Sequence, residues 1–162
     1  MFGMPVELFY PIFSVFLFML AIIFIPRDKF KNLFWVCLVW GYIFSILASF
    51  LGSNLNLFRW EHIFPFEFLA SVQWLDFAWI FAVMLFLYYI PESKGWYVYP
   101  TYLCIFSIAS AAIDMIFHEL GLLKYLNWNP FWRFVLALIW FYGATIHHRY
   151  QVKKDNDFAQ IG

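Results

Sequence analysis

Charge is what this sequence has least of. Only 12% of its 162 residues are Asp, Glu, Lys or Arg, about half the roughly 25% typical of soluble domains. Its ten basic and ten acidic side chains cancel. There is thus no basic face of the kind a nucleic-acid binder needs, and nucleic acid is excluded as a partner. Cysteine is scarce too. Cys37 and Cys104 both fall inside apolar runs, without metal-ligand or disulfide spacing, and read as small buried hydrophobes. Glycine loops for phosphate, a nucleophile elbow and zinc-ligand patterns are all missing. No catalytic residue, metal or cofactor is indicated, and the reading leans away from an enzyme.

What the chain has in abundance is apolar bulk. Hydrophobic residues make up 65% and aromatics 26%, with 23 Phe, 10 Tyr and 9 Trp. A soluble fold of this size buries only about 70% of its unfolded surface, too little to hide so much apolar side chain. An ordinary globular domain and a disordered chain are excluded, and an integral membrane protein remains.

Proline and glycine punctuate the chain at the spacing of a bilayer core, which needs roughly 20 apolar helical residues. Spans are expected at about 5–25, 30–51, 65–90, 100–120 and 130–148. Gly52 is the expected C-cap of the second. Glu67 is expected in the first turn of the third, where a carboxylate suits the helix dipole. Asn129 and Pro130 are the expected N-cap and first residue of the fifth. Runs this long without period-two alternation are helices. The fold class is therefore all-α, an integral membrane bundle of five transmembrane helices in a single membrane domain covering 1–162. The segment 54–64 is too short to span and mixes Leu55, Phe58 and Trp60 with Arg59, Glu61 and His62. It reads as an interfacial connector.

Orientation follows from Lys and Arg in short loops. Arg27, Lys29, Lys31, Lys94, Arg149, Lys153 and Lys154 share one side, against Arg59, Lys124 and Arg133 on the other. The N-terminus is expected outside and the C-terminus in the cytoplasm. The first span lacks a basic n-region, so it is expected to be an uncleaved anchor. His147 and His148 point about 100° apart on a helix and, with the basic tail, suit anionic lipid rather than a metal. Tyr10, Trp60, Trp96, Tyr97, Tyr99, Tyr102, Trp128 and Trp132 lie at span ends as aromatic belts do.

Ionisable groups inside a span are costly and are usually functional or paired. Asp76, Asp114 and Arg133 each lie about 21–22 Å from the cytoplasmic end of their helix at 1.5 Å per residue. The third and fourth helices, joined by a short loop, are expected to be antiparallel neighbours, with Asp76 facing Asp114. Ser107, Ser110, Asp114 and His118 share one face of the fourth helix, and Gln73 shares a face with Asp76. His118, Glu119, Glu67 and Glu7 are expected above this level, giving an outer polar pocket rich in carboxylates. Thr101, Ser107, Ser45 and Thr145 are thin polar material for a path through the inner half.

Three readings compete for the cluster of Asp76, Asp114, His118, Glu119, Arg133, Gln73 and Glu67. It is a buried network in which Arg133 pairs with Asp114 or Asp76, and serines and Gln73 close the hydrogen bonds. It is an outward-facing binding or transporter-like site for a cation, a proton or a small polar ligand, using Asp76, Asp114, Glu119 and Arg133. Or Asp114, His118 and Glu119 hold a catalytic metal, which lacks a second histidine pair. The first leads, and with it a non-enzymatic structural or accessory subunit. Its partners are the lipid bilayer and either another membrane protein or further copies of itself.

Three stretches carry a resemblance. They are Ile25-Pro26-Arg27-Asp28-Lys29, the break Tyr89-Ile90-Pro91-Glu92, and Gly121-Leu122-Leu123-Lys124-Tyr125-Leu126-Asn127-Trp128 ahead of an aromatic last span. Together the chain resembles an uncharacterised family of small aromatic-rich multi-pass membrane proteins of spore-forming Firmicutes. The resemblance implies a bacterial plasma-membrane home, and it transfers no activity and no functional residue. The tryptophan-proline pattern of tryptophan-rich sensory proteins is missing.

Overall fold

A computed structural model describes residues 5–63, 67–92 and 95–161, the last seven as helical backbone alone. The chain is mostly helical. A 3-10 turn, Val6–Leu8, leads into α1, Phe9–Phe24. Ile25 is extended at φ −111° and ψ 120°, as a residue before proline must be, so Pro26 ends α1 and starts the next rod. That rod is α2 (Arg27–Cys37), a π-helical stretch (Leu38–Ile43) and α3 (Phe44–Asn54) without a break. Then follow β1 (Phe58–Trp60), β2 (Glu67–Phe68), β3 (Ser71–Val72), α4 (Gln73–Tyr88), α5 (Val98–Glu119), β4 (Leu123–Tyr125) and α6 (Pro130–Ile161).

Among the described residues, three helical segments are long and apolar enough to cross a membrane: Val6–Phe24, Arg27–Asn54 and Val98–Glu119. Their outward faces carry what a soluble protein would bury. Ile23 and Trp35 are each 67% exposed, and a continuous apolar exterior on this scale belongs in lipid. α4 is apolar but has only 16 residues, about 24 Å of helix.

α4 is shorter than the expected third span because its entrance is not helical. Glu67–Phe68 and Ser71–Val72 pair as a tight antiparallel hairpin, turned by Leu69 and Ala70 at φ 49° and 60°. Glu67 therefore sits exposed on a strand and not in a helix first turn. Pro65 lies outside the described residues, as does Lys94. The residue in the first turn of α4 is Asp76.

The connector is corrected too. β1 pairs antiparallel with β4 in the register Phe58↔Tyr125, Arg59↔Lys124, Trp60↔Leu123. Two matching helix ends feed this ribbon. At the end of α5 the Gly121 N–H meets His118 O and the Leu122 N–H meets Phe117 O, a Schellman closure with Gly121 at φ 73°. At the end of α3 the Asn56 N–H meets Ser53 O and the Leu57 N–H meets Gly52 O, the same closure with Asn56 at φ 50°. Asparagine, the next most tolerant residue after glycine, thus does the capping expected of Gly52. Gly52 lies inside the helix, where a Cβ would come 2.4 Å from the Phe58 ring. Tyr10, expected in an aromatic belt, is 2% exposed. Its hydroxyl lies 2.7 Å from Glu61 O and 2.8 Å from Leu122 O, sharing one proton across the end of the ribbon.

Packing follows residue size. α4 lies close against α1 and the α2–α3 rod, and α5 lies close against α6. α4 and α5 are not the close antiparallel pair expected. They meet through large rings, Phe86 stacking on Tyr102 with centroids 5.2 Å apart and the Tyr102 hydroxyl donating to Phe86 O. The π stretch presses on α4 at Gly41, where a Cβ would fall 2.5 Å from Ile80 Cα. The π geometry displaces a backbone carbonyl, and Trp40 O accepts 2.6 Å from Trp140 Nε1 of α6. α6 runs on to Ile161 and does not stop near His148, so Arg149, Lys153 and Lys154 ride on helix.

Gly41→Ala is expected to cost about 1–3 kcal/mol, because rigid backbone opposes the new methyl. Gly52→Ala meets a ring able to shift and is expected to cost less. Thermal melts of the two variants in detergent check this; equal or reversed losses would contradict the packing described.

Candidate functional site

Two buried carboxyl groups organise the end of the bundle next to the strands. Asp76 is 0% exposed. Ser45 of α3 donates to its Oδ1 at 2.6 Å, and the Ser71 hydroxyl of β3 lies 2.7 Å from both oxygens. Gln73 Nε2 stands 3.4 Å from Oδ2, and Gln73 Oε1 accepts from the Tyr42 hydroxyl at 2.7 Å. The chain Tyr42–Gln73–Asp76–Ser45/Ser71 thus ties the π stretch, α3 and β3 to the first turn of α4. A helix N-terminus also supplies a positive dipole end to a carboxylate there.

The second group is Asp114 on α5. Arg133 Nε of α6 lies 2.9 Å from its Oδ2, with the side chains 11% and 9% exposed. The N–H is not aimed at that oxygen well enough for a hydrogen bond, so the contact is an ion pair held by charge. The guanidinium also lies over the Trp79 ring of α4, 5.0 Å from its centroid, where the ring quadrupole attracts a cation. Arg133 therefore links α5, α6 and α4.

Cavities beside the pair are small. One of about 30 Å³ runs between Ser45, Ser49, Trp60, Trp79, Asp114 and Arg133, and one of about 10 Å³ lies by Ser110 and Arg133. Volumes of this size suit single water molecules. Ser49 accepts from Trp60 Nε1 at 3.2 Å, so the cavity wall is itself hydrogen-bonded. The Tyr125 hydroxyl and Trp128 Nε1 are buried in the protein without a hydrogen-bond partner among the described residues. Burial and the Asp114 charge, partly offset by Arg133, push the Tyr125 phenol up to about 12.

Of the residues singled out from sequence, Gln73 and Asp76 meet in one network, and Asp114 and Arg133 in another. His118, Glu119, Glu67 and Glu7 are exposed. His118 Nδ1 lies 2.9 Å from Leu123 O, and its ring stacks on Tyr125 at 4.3 Å. The carboxylate-rich pocket is thus corrected to two separate buried pairings. The reason is local: the strands lift Glu67 off the helix, and Glu119, five residues past Asp114 on α5, points about 140° away from it. Among the described residues no three His, Cys, Asp or Glu side chains converge as a metal requires. Toward the other end of the bundle, His147 Nδ1 accepts from Trp40 Nε1 at 2.9 Å.

Ser71, Tyr42 and Trp79 were not anticipated from the sequence, and Ser45 was expected in the inner half. A signal existed. Gly41, Ser45, Ser49 and Gly52 fall at i, i+4, i+8 and i+11, one face of a helix, and all four are buried. That small-residue face lets neighbouring segments approach closely. No protein-family model, curated protein or solved structure matches the chain.

Proposed function

We propose that this chain is a five-span membrane protein, N-terminus outside and C-terminus in the cytoplasm, whose buried polar cluster clasps the helices of a non-enzymatic structural or accessory subunit. One observation carries the clasp. Each buried carboxyl group is engaged by side chains from other segments, and the two cavities beside Arg133 have volumes of only about 30 and 10 Å³. Asp76 has hydroxyls from two segments on its oxygens, and Asp114 has the Arg133 guanidinium. An outward-facing site for a cation or small polar ligand has less behind it. Glu119, which it would use, is exposed, and the cavity at Asp114 is about 30 Å³.

The orientation rests on charge. Arg27, Lys29 and Lys31 open α2, and Arg149, Lys153 and Lys154 follow the apolar part of α6, while Arg59 and Lys124 lie on the opposite ribbon. Cytoplasmic ends carry the basic excess. α4 and α6 supply the fourth and fifth crossings, α4 being lengthened at its start by the extended residues Ser71–Val72. The resemblance to aromatic-rich membrane proteins of spore-formers adds a bacterial plasma membrane. A reporter fused to the C-terminus is expected to be active only in the cytoplasm; activity outside the cell would reverse the orientation.

Asp76→Ala strips the acceptor from Ser45 and Ser71, each orphaned donor costing about 1–3 kcal/mol. Its melting temperature in detergent is expected to fall, and that of the unaltered protein to stay constant when sodium, calcium or organic ammonium ions are exchanged. A variant at least as stable as the parent, with a parent melt that rises with one cation, would replace the clasp by a binding site.

A further inference from the structure

A wide cleft lies at the end of the bundle away from the strands and has no part in the polar cluster. Its volume is about 1050 Å³, between the start of α2, the end of α4 and the last turns of α6. Arg149 stands 16 residues beyond Arg133 on α6, about 24 Å further along the axis. The cleft is thus a bilayer's half-thickness or more from Arg133, at the level where the helices leave the apolar zone. Its polar rim is Lys29, Asn32, His148, Arg149 and Lys153, against one carboxylate, Glu92. With His148 neutral, three fixed positive charges face one negative charge. Neither Lys29 nor Lys153 has a carboxylate in ion-pair contact among the described residues. Arg149 is backed by the Tyr99 ring, 5.2 Å from its guanidinium carbon, which fixes its direction. The floor is apolar, formed by Leu33, Leu87, Ile90 and Val152.

We propose that this cleft binds the phosphodiester headgroup of an anionic phospholipid, with Lys29, Arg149 and Lys153 on the phosphate and the glycerol and upper acyl chain along Leu33, Leu87 and Val152. Charge complementarity selects an anion, since among the described residues the rim sets Lys29, Arg149 and Lys153 against Glu92 alone. The floor selects an amphiphile. A free phosphate ion would fill a small part of the volume and leave the apolar wall in water, whereas a lipid covers both. Depth agrees, because headgroups lie where the helices change from apolar to basic. The lysines act as point charges on flexible stems, which suits a headgroup that stays mobile.

Native mass spectrometry of the full chain, titrated in detergent with phosphatidylglycerol or phosphatidylcholine, tests this. Phosphatidylglycerol is expected to bind more tightly. Lys29→Gln and Lys153→Gln are each expected to weaken it about fivefold, and the pair roughly 25-fold, with phosphatidylcholine unaffected. Lys124→Gln, on the strand at the opposite end, is expected to change neither. The paired Lys29→Arg and Lys153→Arg substitutions should retain the preference, and unchanged melting temperatures show that the exposed lysines were not needed for folding. Equal binding of the two lipids, or undiminished phosphatidylglycerol binding by the double Gln variant, would overturn the proposal. So would lysine-dependent binding of inorganic phosphate or glycerol 3-phosphate without any phosphatidylglycerol preference, which would reassign the cleft to a soluble phosphate compound.

Discussion

A carboxyl group removed from both water and lipid must find its partners inside the protein, and this fold is arranged around meeting that demand twice. Asp76 and Asp114 lie on different helices and recruit different neighbours. The Asp76 side needs hydroxyls and obtains them from Ser45 on α3 and Ser71 on β3. That fixes the rotation of the α2–α3 rod against α4 and holds the β2–β3 hairpin at the helix entrance. The Asp114 side needs a cation and obtains Arg133, which fixes α5 against α6. Trp79 then joins the halves, its ring beneath the guanidinium. In hydrocarbon the apolar surfaces of helices have little preference for one another. Rotation and register therefore come from small-residue contacts and polar pairs, and this chain uses both.

The strands serve the same end. α3 and α5 each close with a left-handed residue, Asn56 and Gly121, and the chain leaving each cap enters one strand of the β1–β4 ribbon. Backbone that has left a helix still needs partners for its N–H and C=O groups. The ribbon supplies them, and Tyr10 of α1 reaches across its end. The segments nearest the buried pairs are thereby pinned by backbone bonds as well as side chains, while the opposite end of the molecule is left open as a basic cleft. Order is concentrated at one end and access at the other.

Much of this was legible in the residue order. Proline marked where α1 stops, because the residue before proline avoids helical ψ, although α2 begins at once at Arg27 and not near the expected residue 30. Asn129 and Pro130 marked the start of α6, and the Asn129 side chain does accept from the Trp132 N–H at 3.1 Å. The polar residues inside apolar runs singled out Asp76, Gln73, Asp114 and Arg133. Other features were hidden for physical reasons. Hydropathy does not distinguish an apolar strand from an apolar helix over six residues, so the hairpin before α4 was absorbed into a span. Gly52 looked like a cap because glycine is the usual capping residue. Only the neighbouring Phe58 ring reveals that its value there is the absence of a side chain. The close pairing of α4 with α5 followed from loop length, whereas the Phe86, Tyr102 and Phe106 rings hold their backbones apart.

In the proposed clasp, Asp114 and Arg133 matter as a pair that closes the bundle, and not as free groups awaiting a ligand. A double-mutant cycle on unfolding in detergent tests it most directly. Removing one charge strands the other in a buried place, so Asp114→Leu and Arg133→Leu are each predicted to cost about 3–5 kcal/mol, with the double variant recovering most of the loss. Single losses that are negligible, or that simply add in the double variant, would contradict the account.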